Sequence, residues 1–588
     1  KVSHRPRRTR GNLRGEHLTL QLTMNLPVAL PRDAYQFGAR SSGETHGVVL
    51  TKPHMVDLIL DLAAYTVDRD LTRIRLLEPA CGHGAFLLPT VERLLTVAKR
   101  QGRSPEDLRD AITAYDIDLE HVATSRRAVA DVLTRHAVSA RLAASLAAGW
   151  VHEGDFLLAH DTATYDAVVG NPPYVRIEQL APALQQEYRR RFSSIYDRAD
   201  LYVAFIEHGL NLLGPNGILS FVCADRWTLN RYGAPLRDLI ARRFQVRCYI
   251  DLHHASPFES EVIAYPAIFA IGRSKTGSAT DLAADPVTVA TLKTASAEEC
   301  RAVIQAMTTQ VDATGVATMK YESWFRGDEP WVLSTPEQLA VLRKLEDQFE
   351  PIETGDTRVG IGVATGNDKL YIVGADADIE ADRLVPLVMR DDIEAGRIRD
   401  SQRFVINTFR QGAQLIDLRE YPRLGKYLRA NGDAIRARHV ARKNEKGWFR
   451  TIDRVYPELV KVPKLLIPDI AGANEVVLDE GRFHPHHNLY FVTSGSWDMR
   501  VLGALLSSKV ALFFVWSYAV KMRGGYLRFQ AQYLRRIRLP APGRIKVRLA
   551  KGLATAFEKR DFGRLDDLTL EAYGLKALPE FDFVDTRS

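Results

Sequence analysis

The residues best suited to chemistry form one rigid turn, Asn171-Pro172-Pro173-Tyr174, directly after the apolar run 165–169. The two prolines fix backbone angles and remove two N–H donors, so the turn presents hydrogen-bond acceptors. The side-chain oxygen of Asn171 and the carbonyl of Pro172 can together accept both protons of a planar exocyclic amine and localise charge on its nitrogen, which makes the amine a better nucleophile. Tyr174 can stack on the ring that carries the amine. The alternative is a plain Pro-Pro turn with a buried tyrosine.

A second group of residues lies upstream, in the loop 78–84 with the sequence Glu-Pro-Ala-Cys-Gly-His-Gly. Asp116 follows it at the end of the next apolar run, where a carboxylate can accept both ribose hydroxyls of a nucleoside. The loop lacks the Gly-x-Gly-x-x-Gly pattern of dinucleotide sites and the Gly-Lys-Ser/Thr end of phosphate loops. A nucleoside without a phosphate chain therefore suits it better, and S-adenosylmethionine (SAM) is such a ligand. A purely structural turn remains the alternative.

The elements that must position these residues follow from hydrophobic periodicity. Between residues 48 and 272, amphipathic helical stretches alternate with short apolar runs, which predicts an α/β fold with a doubly wound, mostly parallel sheet. A helix is expected at 56–62, and strands are expected at 75–77, 112–117, 165–169, 218–223, 246–252 and 267–271. Such sheets bind ligands at the carboxyl ends of their strands, so both groups of residues should meet at one edge.

The motifs resemble those of the γ-type amino-methyltransferases of restriction–modification systems, most closely the TaqI-type adenine methyltransferases. Thr51-Lys52-Pro53 is similar to that family's motif before the sheet, except that Lys52 stands where a second proline is common. Gly154-Asp155-Phe156 resembles the motif that contacts the adenine of the cofactor. The resemblance covers residues 45–270 and implies a SAM-dependent methyltransferase fold.

The resemblance also implies roles for individual residues. SAM would be bound by Thr51, Glu78, Ala80, Gly82, Gly84, Asp116, Ile117, Asp155, Phe156 and Pro173. Asn171, Pro172 and Tyr174 would act on the target base, and Phe258 would stack on it beside Tyr174.

The implied reaction is methyl transfer from SAM to N6 of an adenine flipped out of duplex DNA, as the modification part of a restriction–modification or defence system. Asn171 rather than serine at the start of the turn favours adenine over cytosine-N4 by the same resemblance. Methylation of a protein glutamine or of ribosomal RNA, and a catalytically silent recognition subunit, are further alternatives. The expected partners are double-stranded DNA and a cognate restriction endonuclease or defence-complex subunits, with the protein acting as a monomer.

Length and charge point to a second, DNA-reading domain. A chain of 588 residues is longer than a domain with a single hydrophobic core usually is, so at least two domains are expected. The net charge of +7 favours a polyanionic partner such as nucleic acid. We expect a basic arm at 1–44, a catalytic domain at 45–275, a connecting region at 276–350, a mixed α+β recognition domain at 351–545 and a helical tail at 546–588. The recognition domain is expected because residues 358–540 resemble the C-terminal specificity domain of the TaqI-type enzymes. Backbone contacts to DNA are expected from Arg436, Arg438, Arg442, Lys443, Arg450, Lys521, Arg523 and Arg528.

Metal binding, disulfides and membrane insertion are not expected. The four cysteines contain no Cys-x-x-Cys pair, which argues against a zinc site and a disulfide framework and favours a reducing, cytoplasmic compartment. His484, His486 and His487 lie close together, yet no acid or cysteine is spaced near them in the sequence to complete a metal site. No apolar run reaches the length of a membrane span.

Overall fold

The computed structural model describes residues 50–260, 265–273, 286–309, 316–410, 414–471, 475–519 and 526–584. The chain divides into two compact units. The first comprises residues 1–227, 243–278 and 291–316, and the second comprises residues 228–242, 279–290 and 317–588. The arm expected at 1–44 lies outside the described residues.

The secondary structure alternates strands and helices through the first half of the chain. In chain order the strands are β1 (Leu76–Glu78), β2 (Ile112–Asp116), β3 (Val151–Glu153), β4 (Tyr165–Gly170), β5 (Leu213–Ala224), β6 (Phe244–Asp251), β7 (Pro266–Arg273), β8 (Val287–Thr291), β9 (Ala317–Tyr321), β10 (Glu350–Pro351), β11 (Arg358–Ile361), β12 (Ile372–Gly374), β13 (Leu384–Val388), β14 (Ile393–Glu394), β15 (Arg397–Ile398), β16 (Arg403–Ile406), β17 (Lys464–Pro468), β18 (Ile470–Ala471), β19 (Val477–Asp479), β20 (His484–Pro485), β21 (Leu489–Thr493), β22 (Leu527–Arg528) and β23 (Arg538–Leu539).

The helices are α1 (Pro53–Leu62), α2 (Leu87–Arg100), α3 (Leu119–Arg135), α4 (Ala140–Trp150), α5 (Pro182–Arg191), α6 (Tyr202–Asn211), α7 (Arg226–Leu229), α8 (Ala234–Arg243), α9 (Ala297–Thr309), α10 (Pro336–Gln348), α11 (Asp368–Tyr371), α12 (Pro422–Ala430), α13 (Gly432–Arg436), α14 (His439–Arg442), α15 (Met499–Ser507), α16 (Lys509–Tyr518), α17 (Ala531–Leu534), α18 (Val547–Lys559) and α19 (Phe562–Tyr573).

The sheet of the first unit has the strand order β3-β2-β1-β4-β5-β7-β6. The neighbouring pairs among β1 to β5 are parallel, and β7 runs antiparallel to β5 and β6. This confirms the expected doubly wound α/β sheet. The carboxyl ends of β1, β2 and β4 lie side by side, as the binding edge of such a sheet requires.

The boundaries differ from expectation where the sequence signal is weak. The three-residue strand β3 was not predicted, because its pattern is too short to separate from the helix before it. Strand β5 begins at Leu213, five residues earlier than expected. Helix α1 begins at Pro53 rather than at residue 56, since proline fits the first turn of a helix, where its missing N–H needs no partner.

The second unit is a mixture of small sheets and helices, which confirms the α+β expectation. One sheet has the order β11-β21-β17-β19, and another has the order β12-β16-β13-β20. The expected connecting region at 276–350 contains β8, α9, β9 and α10. The expected tail at 546–588 contains α18 and α19.

Within the part of the chain that the structure describes, no single helix has the length and apolar character needed to span a membrane. Helices α15 and α16 meet that criterion only when taken together, and they are bent by 56° relative to each other.

The four cysteines, Cys81, Cys223, Cys248 and Cys300, are all free and buried. Burial raises the pKa of each thiol, and it is the largest influence on all four.

Candidate active site

A cavity lies at the carboxyl edge of the first unit's sheet, where β1, β2 and β4 end. Nine of the residues expected to bind a nucleoside cofactor line it: Thr51, Glu78, Ala80, Gly82, Asp116, Ile117, Asp155, Phe156 and Pro173. Asn171 lines it as well. Gly84, Pro172, Tyr174 and Phe258 are not among its lining residues.

The loop after β1 depends on two glycines with positive φ, Gly82 at +52° and Gly84 at +88°. L-residues rarely adopt these angles, so the loop can follow this path only with little or no side chain at the two positions. A Cβ on Gly84 would meet Leu88 and Ser125 at 3.4 Å, on the side where α2 and α3 pack. Gly84 therefore shapes the loop from behind, which explains its absence from the cavity wall.

Asp116 ties this loop to the second strand. Its carboxylate accepts hydrogen bonds from the backbone N–H of Gly82 at 2.8 Å and of Asp118 at 2.9 Å, and His121 Nδ1 lies 3.2 Å from it. Because each carboxylate oxygen has two lone pairs, Asp116 keeps acceptor capacity toward the cavity that it lines. His121 also lines the cavity and was not identified from the sequence.

Glu78 is an acid buried in the wall of the cavity, with 1% of its surface exposed. Burial, followed by the charge of Asp116, raises the pKa of its carboxyl well above the ordinary value. Its Oε2 makes no hydrogen bond to the described residues. Such an acceptor at a ligand cavity is suited to a donor that the ligand brings.

The third part of the wall surrounds Asp155 and Phe156. Asp155 accepts hydrogen bonds from the backbone N–H of Leu157 at 2.8 Å and from the hydroxyl of Tyr188 at 2.6 Å. Phe156 is buried, with its ring 5.5 Å from that of Phe205. Tyr188 on α5 and Phe205 on α6 line the cavity, and neither was identified from the sequence.

The turn after β4 places Asn171 beside Thr51. The side-chain nitrogen of Asn171 lies 3.4 Å from Thr51 Oγ1, to which it donates a hydrogen bond. This contact assigns the amide nitrogen to the Thr51 side and leaves the amide oxygen as the acceptor of the side chain. The predicted role of Asn171 requires this orientation.

Tyr174 and Phe258 are brought together, although 84 positions separate them. Their rings meet edge to face with centroids 6.1 Å apart, and the centroid of the Tyr202 ring lies 6.2 Å from that of Tyr174. The hydroxyl of Tyr174 is buried, and it makes no hydrogen bond to any residue that the structure describes. Burial raises the pKa of this hydroxyl well above the ordinary value, with a further contribution from Cys223.

A short antiparallel bridge between Thr51 and Phe258 holds the two segments in place. Lys52 N–H donates to the Pro257 carbonyl at 2.9 Å, and Lys52 Nζ donates to the Ser256 carbonyl at 2.8 Å. A proline at position 52 would fit the backbone, where φ is −59°, but it would have neither the N–H nor the ammonium group. The departure from the family motif thus adds two hydrogen bonds to the bridge.

Comparisons with known proteins agree with this geometry. A family model described as Eco57I restriction-modification methylase matches residues 115–258. The chain is 46% identical over 537 residues to the Type II methyltransferase M.PaeR7I of Pseudomonas aeruginosa, which covers 90% of this chain and 92% of that protein. It is 42% identical over 548 residues to the Type II methyltransferase M.XhoI of Xanthomonas vasicola, which covers 92% of this chain and 100% of that protein.

The chain belongs to the Type II DNA methyltransferases of restriction–modification systems. The resemblance seen in its motifs is therefore confirmed. A solved Type IIL restriction-modification enzyme, MmeI in complex with DNA, shares the fold with a TM-score of 0.53 at 13% identity, over 90% of this chain and 75% of that one.

The cofactor of this methyltransferase is S-adenosylmethionine. The cavity fits it in two respects. Glu78 offers a buried acceptor to a donor such as an ammonium group. Ile117 is 40% exposed and Leu50 is 42% exposed although both are large and apolar, and both line the cavity, where a flat ring system can cover them.

The basic residues of the second unit that were expected to contact DNA differ in their exposure and in their contacts with other residues. Arg436, Arg442 and Lys443 are exposed, and the guanidinium of Arg436 lies 4.1 Å from the ring centroid of Trp448. Arg450 is half-buried and donates to the Thr451 carbonyl at 3.3 Å.

Arg528 forms an ion pair with Asp469. Lys521 and Arg523 lie outside the described residues.

Arg438 departs from the predicted role. It is only 9% exposed, and its guanidinium donates to four backbone carbonyls, those of Ile435, Thr365, Trp448 and Arg450, as well as to the hydroxyl of Tyr371. All three guanidinium nitrogens are engaged, so none faces a phosphate. Here the sequence prediction is corrected: Arg438 holds the loops of the second unit together.

Proposed function

We propose that this methyltransferase transfers the methyl group of SAM to N6 of an adenine in duplex DNA. The observation that carries the proposal is the placement of Asn171: it lines the cofactor cavity, and its amide nitrogen donates to Thr51 at 3.4 Å, which leaves the amide oxygen as the acceptor of the side chain. The choice of adenine over cytosine-N4 rests on asparagine at the first position of the turn, by resemblance to the adenine enzymes.

The residues of the turn would activate a weak nucleophile. The lone pair of an exocyclic amine is delocalised into the ring, and acceptors that bind both amine protons restore density to the nitrogen. The oxygen of Asn171 and the carbonyl of Pro172 would be these acceptors, which makes the catalysis one of positioning and preorganised electrostatics without a covalent intermediate. SAM supplies an electrophilic methyl group when bound.

The remaining predicted residues would hold the two reactants. The side chains of Glu78, Asp116 and Asp155 would accept hydrogen bonds from the cofactor. The rest of the cavity wall around the cofactor would be formed by Thr51, Ala80, Gly82, Ile117, Phe156 and Pro173. Gly84 supports the loop behind them.

A base inside a duplex must leave the stack before it reaches such a site, at a cost of a few kcal/mol. Tyr174 and Phe258 would recover part of this cost by stacking on the flipped base; Phe258 is 3% exposed, so its ring would have to move to reach the base. The recognition domain at 351–545 would hold the DNA meanwhile, with Arg436, Arg442 and Lys443 among the phosphate contacts. We further propose that the enzyme acts as a monomer and protects its site from a cognate endonuclease.

The identity of the product tests the proposal directly. Duplex DNA methylated by the enzyme is digested to nucleosides and analysed by mass spectrometry, with N6-methyldeoxyadenosine as the expected product. N4-methyldeoxycytidine would instead assign the enzyme to the cytosine class and leave the geometry of the acceptors intact.

The role of Asn171 is tested separately. Asn171→Ala should slow single-turnover methyl transfer by about 10²–10³-fold while DNA affinity stays unchanged, because the hydrogen bond that it removes strengthens only in the transition state. Asn211→Ala, which alters an exposed asparagine at the end of α6, serves as the matched control and should keep the wild-type rate. Full activity in Asn171→Ala would refute the amine-activation role.

A further inference from the structure

Three side chains with metal-binding atoms converge in the second unit. His486 Nε2 lies 3.1 Å from Asp368 Oδ2 and 2.9 Å from His487 Nδ1, and the three ligand atoms all lie within 4.8 Å of one another. Asp368 begins α11, and the two histidines follow β20. The sequence gives no sign of this acid, because 118 positions separate it from His486.

The backbone around the histidines is tightly held. His486 N–H donates to the Val388 carbonyl at 2.9 Å, and His487 N–H donates to the Val363 carbonyl at 3.1 Å. Gly362 passes so close that a Cβ on it would lie 2.1 Å from the His486 carbonyl oxygen. The two imidazoles are therefore presented from a fixed segment, as a preorganised site requires.

Asp368 is also oriented. Its Oδ1 accepts a hydrogen bond from Thr365 Oγ1 at 2.5 Å, which leaves Oδ2 toward His486.

Hydrogen bonds alone do not satisfy this cluster. A neutral imidazole has one N–H, so His486 Nε2 can donate to only one of the two groups it faces. A cation at the point of convergence would accept electron pairs from His486, His487 and Asp368 at the same time.

The ligand set indicates which cation. Two imidazole nitrogens and one carboxylate oxygen are typical of zinc sites that keep a fourth position for water. Bond lengths of about 2.0–2.1 Å in a tetrahedral site place ligand atoms roughly 3.3 Å apart. The distances of 2.9 and 3.1 Å lie slightly below this spacing, and the third pair, Asp368 and His487, lies within 4.8 Å, so side-chain rotation has to adjust all three distances.

We propose that Asp368, His486 and His487 bind one divalent transition-metal ion of the zinc class, with water as the fourth ligand. His486 is 2% exposed, whereas His487 is exposed and the Asp368 side chain is 40% exposed, so the ion can enter from the surface. The ion would fasten the start of α11 to the segment after β20. Because no acceptor among the described residues fixes His486 Nδ1 from behind, we expect micromolar affinity rather than the tighter binding of zinc sites with a complete second shell.

The test uses the untagged full-length protein after removal of metals with a chelator. Co²⁺ and Zn²⁺ are titrated separately, with calorimetry for stoichiometry and the visible absorption of Co²⁺ for coordination geometry. One ion per chain is expected. His487→Ala and Asp368→Asn should each weaken binding by at least about tenfold, an effect no smaller than second-shell changes produce.

His439→Ala, which removes an exposed histidine on α14, should bind as the wild type does. Circular dichroism and thermal unfolding of the metal-free variants show whether each remains folded. Failure of the wild type to bind either ion at stoichiometric level, or equal binding by the wild type, folded His487→Ala and folded Asp368→Asn, would overturn the proposal. The cluster would then be a hydrogen-bonded structural contact. The methyl-transfer assay has no part in this test, so the outcome is independent of the proposed function.

Discussion

At the scale of single residues, Tyr174 combines a half-buried ring with a buried hydroxyl that has no hydrogen-bond partner among the described residues. Only the ring has a role in the proposed stacking, so Tyr174→Phe should keep most of the methyl-transfer rate. It should also raise the free energy of unfolding by about 1 kcal/mol, because a buried unsatisfied hydroxyl is removed. Tyr174→Ala should remove stacking worth about 1–3 kcal/mol.

The fluorescence of 2-aminopurine at the target position reports capture of the flipped base in each variant, alongside single-turnover rates and thermal unfolding. A large loss of activity in Tyr174→Phe would show that the hydroxyl, and not only the ring, acts on the base.

The buried carboxyl of Glu78 should make the folding stability of the enzyme depend on pH. Its pKa is raised in the folded protein, so between the ordinary carboxyl pKa and the raised value the unfolded chain releases a proton that the folded chain retains. Folding stability of the cofactor-free enzyme should therefore fall as pH rises through this window, and Glu78→Gln should remove that part of the fall. Thermal unfolding of both proteins from about pH 5 to pH 8 checks it. A difference in melting temperature that stays constant with pH would contradict the assigned protonation.

At the scale of elements, strand β11 and its continuation contain two glycines that face different obstacles. A Cβ on Gly360 would lie 2.3 Å from the Phe491 ring, and a Cβ on Gly362 would lie 2.1 Å from the His486 backbone. A ring can rotate away, whereas a paired backbone cannot. Gly360→Ala should therefore lower the free energy of unfolding by about 1–3 kcal/mol, as overpacking does, and Gly362→Ala should lower it by more.

Denaturant unfolding of the metal-free proteins measures both changes. Equal destabilisation of the two variants would mean that the segment after β20 moves as easily as a side chain.

The elements of the catalytic site were largely predictable because the signals are local. The strands before Glu78, Asp116 and Asn171 are short apolar runs, and the parallel sheet brings their ends together. Tyr188 and Phe205 were not predictable, because the periodicity of a helix indicates its buried face but not whether that face borders a cavity.

Other features depended on tertiary structure. Arg438 lies among exposed basic residues in the sequence, and only the fold shows that its guanidinium binds carbonyls of segments as far apart as Thr365 and Trp448. The acid near His486 was missed for the same reason, since a parallel bridge between Val363 and His486 brings the segment of Asp368 to the histidine.

At the scale of the whole molecule, the net charge of +7 matters only where the charges are free to meet phosphate. Arg442 and Lys443 are exposed, so Arg442→Ala with Lys443→Ala should reduce the slope of log affinity against log salt by up to about 1.8, at roughly 0.9 for each phosphate that is no longer neutralised. Arg438→Ala should instead lower stability by about 3 kcal/mol or more, since it leaves several buried carbonyls without donors.

Salt titrations of DNA binding and thermal unfolding, applied to both proteins, separate the two effects. An unchanged slope in the double variant would remove this pair from the DNA interface. A normal melting temperature for Arg438→Ala would contradict its structural role.

The burial of all four cysteines has a practical consequence. At neutral pH their raised pKa values keep them as thiols, which react slowly with maleimides. A single cysteine introduced on the surface would accordingly carry a fluorophore without prior removal of the native ones. Pairs of such labels would allow the motion of each unit on its DNA to be followed one molecule at a time.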